Sequence, residues 1–214
     1  MFKTPALLFA LAACLPAAHA QDAEAGRRKV ASCIGCHGIV GYQASFPEVH
    51  KVPMIAGQGA KYIVAALTAY QKGERKHPTM RAIAGSMSEQ DMADVAAYYE
   101  QLGQGGAALV EVAVREPSAE VAALLTKGAC ASCHGANFAK PIDPSYPKIA
   151  GQLPDYLYVA LKAYQTTGNP QVGRSNAIMG GIAKPFTHAE LKAMAGYLGS
   201  LPGPLKTVPE SKFR

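Results

Sequence analysis

The chain has 214 residues, with 21 Lys and Arg against 15 Asp and Glu and a formal net charge of +6. That length holds one medium domain or two small ones. The basic excess is modest and is not interleaved with aromatics, which excludes a nucleic-acid binding surface as the reading of the charge.

The first twenty residues carry Lys3, an apolar run from Ala6 to Ala13, and Ala18-His19-Ala20 before Gln21. This is the layout of a secretory signal peptide over 1–20, too short to span a bilayer. Leu11-Ala12-Ala13-Cys14 also fits a lipoprotein box, whose use would leave a lipidated Cys14 at the mature terminus. The well-formed A-x-A site favours cleavage after Ala20, and the mature chain is expected to be soluble and exported to a bacterial periplasm. Cleavage also removes Cys14 and leaves four cysteines, every one inside a motif, with none over for disulfides.

Those four cysteines lie in Cys33-Ile34-Gly35-Cys36-His37 and Cys130-Ala131-Ser132-Cys133-His134. Each is C-x-x-C-H, in which two thiols form thioethers with the vinyl groups of a haem and the adjacent histidine reaches the iron. Two intervening residues set the sulfurs about one helical turn apart, so both vinyls of one porphyrin come within reach. A zinc ribbon would place its two C-x-x-C halves about 15–20 residues apart, whereas these stand 97 apart. A thioredoxin-like pair would need a βαβ pattern, which is absent. Two covalently bound haem c groups are therefore expected, held by Cys33, Cys36, Cys130 and Cys133, with His37 and His134 as proximal ligands.

The motifs head an internal repeat. Pro53-Met54-Ile55-Ala56-Gly57-Gln58 lies over Pro147-Lys148-Ile149-Ala150-Gly151-Gln152 at an offset of 94, and the amphipathic stretch 61–71 lies over 155–165 at the same offset. The second copy then gains five residues around Gly168-Asn169-Pro170, after which Met80, Ile83 and Ala84 match Met179, Ile182 and Ala183. Ser88-x-x-Asp91 and Thr187-x-x-Glu190 follow as N-cap signatures of two closing helices, over roughly 88–101 and 187–200. Each half reads helix, haem motif, loop, helix, loop with a methionine, helix. The fold class is all-α, with two tandem haem domains over 21–104 and 118–214. A linker over 105–117 joins them, extended at Val110, Val112 and Val114.

The sixth iron ligand separates a carrier from an enzyme, because a His/Met iron is closed to outside ligands and an open one invites substrate chemistry. Of Met54, Met80, Met87 and Met92, only Met80 faces a methionine across the repeat, namely Met179. Met80 and Met179 are thus the axial ligands expected, while Met194, inside the last helix, reads as core. His50, His77 and His188 are the rival ligands. His77 lies three residues before Met80 but faces Asn176. The prolines after the haem motifs suggest a backbone carbonyl of that loop as acceptor for the free imidazole nitrogen.

Twin C-x-x-C-H-G motifs, each followed by P-x-x-A-G-Q, a helix ending Ala-Tyr-Gln and a methionine before a capped helix, resemble the dihaem cytochromes of the c4 class. The resemblance covers nearly the whole mature chain. It implies two class I cytochrome c-like domains about a pseudo-twofold axis, with the haem propionate edges facing each other. It also implies a carrier passing electrons from quinol-oxidising complexes toward a terminal oxidase, with no catalytic residues of its own. The stretch 41–51 departs from the pattern, being longer than its counterpart, and bears on what docks at the first haem.

Arg75, Lys76 and Arg81 flank Met80 and read as a basic docking face for an acidic redox partner. The chain is expected to be a monomer, and peripheral membrane association is a further expectation. Two other functions fit the same motifs. One is an electron-accepting subunit of a periplasmic dehydrogenase; the other is a haem enzyme with an open iron, against which the paired methionines argue.

Overall fold

The computed structural model describes residues 21–104 and 115–209. The expected signal peptide and most of the expected linker, including its three valines, lie outside the described residues.

The first lobe begins with α1 (Ala23–Lys29), capped by the Asp22 carboxylate, which accepts from the Glu24 and Ala25 amides. α2 (Ala31–His37) follows at once and carries the first haem motif; a loop and a short hairpin then lead to α3 (Ala60–Gln71). After α4 (Pro78–Gly85), the lobe closes with α5 (Glu89–Leu102). The second lobe repeats this order with α6 (Ala119–Lys127), α7 (Cys130–His134), α8 (Pro154–Gln165), α9 (Ala177–Ala183) and α10 (His188–Ser200). Both closing helices carry reciprocal capping boxes, Ser88 with Asp91 and Thr187 with Glu190, so two otherwise orphaned amides are satisfied at each start.

In each lobe the first helix packs on the last, and the last on the middle one. The α1–α5 crossing is very tight. A Cβ at Gly26 would be driven into the Asp94 carbonyl, so only glycine allows this approach. Beside the crossing, Asp94 is 2% exposed and holds three donors: Lys29 Nζ at 2.7 Å, the Asp22 amide at 3.0 Å and Gln90 Nε2 at 2.7 Å. Met92, Val95, Ala96 and Tyr99 of α5 form the core of the first lobe, and Leu191, Met194, Ala195 and Leu198 of α10 that of the second. Met194 is thus a packing residue, as its place in the helix suggested.

The methionine segments are helices and not loops. α4 starts with Pro78 in its first turn, and His77 Nδ1 accepts from the Met80 amide; α9 is capped by Asn176 Oδ1, which accepts from the Met179 amide at 3.0 Å. His77 faces Asn176 across the repeat because both are N-caps.

The seam between the lobes is extensive. β3 (Arg75–Lys76) pairs antiparallel with β4 (Gly173–Arg174), placing Arg75 opposite Arg174. The long stretch after the first haem motif forms a hairpin, β1 (Gln43–Ala44) with β2 (His50–Lys51). It reaches across to α8: Lys162 Nζ meets Glu48 at 2.9 Å, the Lys51 amide donates to Asp155 at 2.8 Å, and buried His50 stacks on Tyr156. From the other side the Lys206 amide donates to the Ala56 carbonyl at 3.0 Å, tying the C-terminal segment to the first lobe.

Candidate functional site

α2 and α7 each present Cys-x-x-Cys-His on one short helix, and the four motif cysteines are half-buried. The four cysteines, both motif histidines, Met80 and Met179 all line a single cavity of about 730 Å³ that runs through both lobes. Its walls repeat as well: Ile63, Leu67 and Ile83 in one lobe stand where Leu157, Leu161 and Ile182 stand in the other. An apolar cavity reached at intervals by thiols, imidazoles and thioethers suits a macrocycle with a metal at its centre. No group of three or more His, Cys, Asp or Glu able to hold a bare metal ion occurs among the described residues.

The P-x-x-A-G-Q segment has a task at each position. His37 Nδ1 lies 2.9 Å from the Pro53 carbonyl, and His134 Nδ1 lies 2.9 Å from the Pro147 carbonyl. A carbonyl only accepts, so Nδ1 carries the proton and Nε2 keeps its lone pair for a metal. Burial depresses both imidazoles more than these carbonyls raise them, keeping them neutral. Ala56 and Ala150 are buried, and Gly57 and Gly151 turn the chain at φ 86° and 72°, where a side chain would be strained. Gln58 and Gln152 then cross the seam. Gln58 receives the Lys148 amide at 2.9 Å and donates to the Lys148 carbonyl at 3.0 Å; Gln152 does the same to Met54 at 3.0 and 2.8 Å.

The helix ending Ala-Tyr-Gln also has its reason. Gln71 Nε2 donates to the carbonyls of Ala84 and Met87, and Gln165 Nε2 to those of Ala183 and Phe186, so each glutamine pins the end of a methionine helix. Its repeat was visible in the sequence, but its target was not.

The rival histidines have other partners. His50 Nδ1 donates to the Glu48 carbonyl, His77 caps α4, and His188 lies edge-on to Tyr158. Two of the three expected docking residues lie in the seam. Arg75 donates to the Tyr62 hydroxyl at 3.1 Å, and Lys76 Nζ to the Asn169 carbonyl at 2.7 Å. Only Arg81 is exposed. The sequence showed that Arg75 and Lys76 were near Met80 but not that a strand of the other lobe covers them.

The cytochrome c family model matches residues 23–103 and again 118–202. The chain belongs to the cytochrome c family, as a two-domain member of the cytochrome c4 class. Cytochrome c4 of Stutzerimonas stutzeri is 31% identical over 197 residues, covering 86% of this chain and 91% of the relative. A thiosulfate dehydrogenase electron acceptor of Stutzerimonas stutzeri (strain A1501) is 30% identical over 179 residues, covering 79% of each. Among solved structures, reduced recombinant cytochrome c4 from Pseudomonas stutzeri superposes with a TM-score of 0.60 at 27% identity, over 85% of this chain and all of that one. This cytochrome carries two covalently bound haem c groups and transfers electrons. No helix among the described residues is long and apolar enough to cross a membrane.

Proposed function

We propose that this cytochrome is a two-haem shuttle of the bacterial periplasm, passing electrons from quinol-oxidising complexes toward a terminal oxidase. Cys33 and Cys36 hold the first haem, and Cys130 and Cys133 the second. His37 with Met80, and His134 with Met179, are the axial pairs. The observation that carries this reading is the twofold recurrence of one arrangement. In each lobe a neutral imidazole is oriented by a proline carbonyl, and a methionine sits on a capped helix pinned by a glutamine.

Each haem, when bound, supplies a one-electron couple. The protein's own part is to hold that couple still and dry. Pro53 and Pro147 keep the imidazoles from rotating, and the capped methionine helices resist loss of the sixth ligand. A closed iron exchanges electrons without binding substrate, so no residue is assigned to catalysis.

A second reading is favoured by the similarity to a thiosulfate dehydrogenase electron acceptor: the chain would take its electrons from a periplasmic dehydrogenase. Reduction by a purified thiosulfate dehydrogenase with thiosulfate, at a rate rivalling that with a quinol-oxidising complex, would move this reading to the front.

The ligand assignment is tested with Met80→Ala and Met179→Ala. Each variant should bind carbon monoxide at one reduced haem, the two together at both. Carbon monoxide refused by either single variant would overturn the assignment for that lobe.

A further inference from the structure

The strand pair β3–β4 brings Arg75 and Arg174 opposite one another in an antiparallel ladder, and both line the cavity. Directly opposed residues share one face of a ladder, where like charges repel. Neither guanidinium has a carboxylate within ion-pairing distance among the described residues. Their partners are aromatic and come in repeat-related sets. Arg75 donates to Tyr62 and lies over the rings of Tyr62 and Tyr70, at 5.3 and 5.7 Å; Arg174 donates to Tyr156 and lies over Tyr156 and Tyr164, at 5.8 and 5.4 Å. The Tyr62 hydroxyl interacts with Arg174 as well, linking the two sets across the seam.

Phenol faces offset only part of a guanidinium's charge, and an arginine does not escape by losing its proton. Two such cations set side by side in a half-buried seam call for anions. The cavity they line is the one both haems enter, and each haem brings carboxylate side chains. Guanidinium matches carboxylate in bidentate geometry.

We propose that Arg75 and Arg174 form one shared counter-charge for the propionates of both haems, so that each arginine sets the potential of both irons and not only of its own lobe. This rests on the two-haem reading above. The seam is then where reduction of one haem is sensed by the other. Added negative charge at either iron falls on the same cationic pair, in a medium of low effective dielectric constant.

The test is redox titration of the holoprotein, resolving both haems, for wild type, Arg75→Gln and Arg174→Gln. Removing a positive charge favours the oxidised iron. Each variant should therefore lower both reduction constants, by about tenfold at one haem, which is about 59 mV for a one-electron couple, with a smaller fall at the other. A shift confined to the variant's own lobe, or none, overturns the proposal. Should a glutamine variant fail to load haem, Arg75→Lys carries the test: it retains the charge, should leave both potentials close to wild type, and contradicts the proposal if one haem alone moves strongly. Wild-type potentials that respond to inorganic phosphate at constant ionic strength would assign the pair to a solution anion and also overturn it. Fewer than two haems per wild-type chain would contradict the two-haem reading itself, a failure distinct from any shift in potential.

Discussion

Gln58 and Gln152 are reciprocal clamps: each closes both ends of its carboxamide on the backbone of the other lobe, at the residue four places before its counterpart. Both are buried, at 3% and 4% exposure, and the Met54 and Lys148 backbone groups they satisfy are partly buried. Leaving a buried donor or acceptor unsatisfied costs about 1–3 kcal/mol. The pair Gln58→Ala with Gln152→Ala should therefore loosen the seam more than either lobe. Calorimetry is expected to show one cooperative transition in wild type splitting toward two in the double variant, while a unified transition at an unchanged temperature would contradict the clamp.

Gly26 tests the α1–α5 crossing. Alanine there meets the Asp94 carbonyl, which cannot move without shifting the helix. Overpacking of this kind costs about 1–3 kcal/mol. Gly26→Ala should lower the urea midpoint accordingly, whereas Gly196→Ala, on the exposed face of α10 where nothing lies near, should not.

The glutamines that pin the methionine helices tie packing to ligation. Gln71→Ala frees the carbonyls of Ala84 and Met87, so Met80 should dissociate more readily. The expected readout is carbon monoxide bound slowly by one reduced haem at concentrations to which wild type is inert. Gln165→Ala should behave likewise in the other lobe, and inertness of both variants would show that the ligand needs no such support.

Acid stability follows from Asp94. Burial pushes its carboxyl up, but Lys29, the Asp22 amide and Gln90 outweigh this and hold it below the ordinary carboxylate value. Lys29 and Ser88 likewise depress neighbouring Asp91. A depressed folded-state value stabilises the protein above the unfolded carboxylate range near pH 4, and the contribution is lost as pH falls through the folded values. Asp94→Asn should lower stability at pH 7 and flatten its fall between about pH 5 and 2, followed by denaturant midpoints across that range. An unchanged slope would remove Asp94 from the acid transition.

Much of this architecture was legible because the chain says it twice. The haem motifs, α3 and α8, and the capped α5 and α10 follow from spacing, amphipathic period and N-cap chemistry acting within about a dozen residues. What escaped lies between segments remote in sequence. The partners of Gln58 and Gln152 are 90 and 98 residues away, and two-residue strands such as β3 and β4 have no period to read. α4 and α9 are too short to show one, and a histidine cap at His77 is not a usual helix start. The charge of Arg75 and Lys76 and their nearness to Met80 point to a docking face there. Charge says nothing of burial until the opposing strand is known.

The most direct measurement is the visible spectrum of the fully reduced protein before and after carbon monoxide, with haem counted per chain. Two haem c groups whose spectra carbon monoxide leaves unchanged are the predicted result, as expected of closed irons with Met80 and Met179 as sixth ligands in an electron carrier. A haem that binds carbon monoxide in the wild-type protein would mean an open iron and contradict that account.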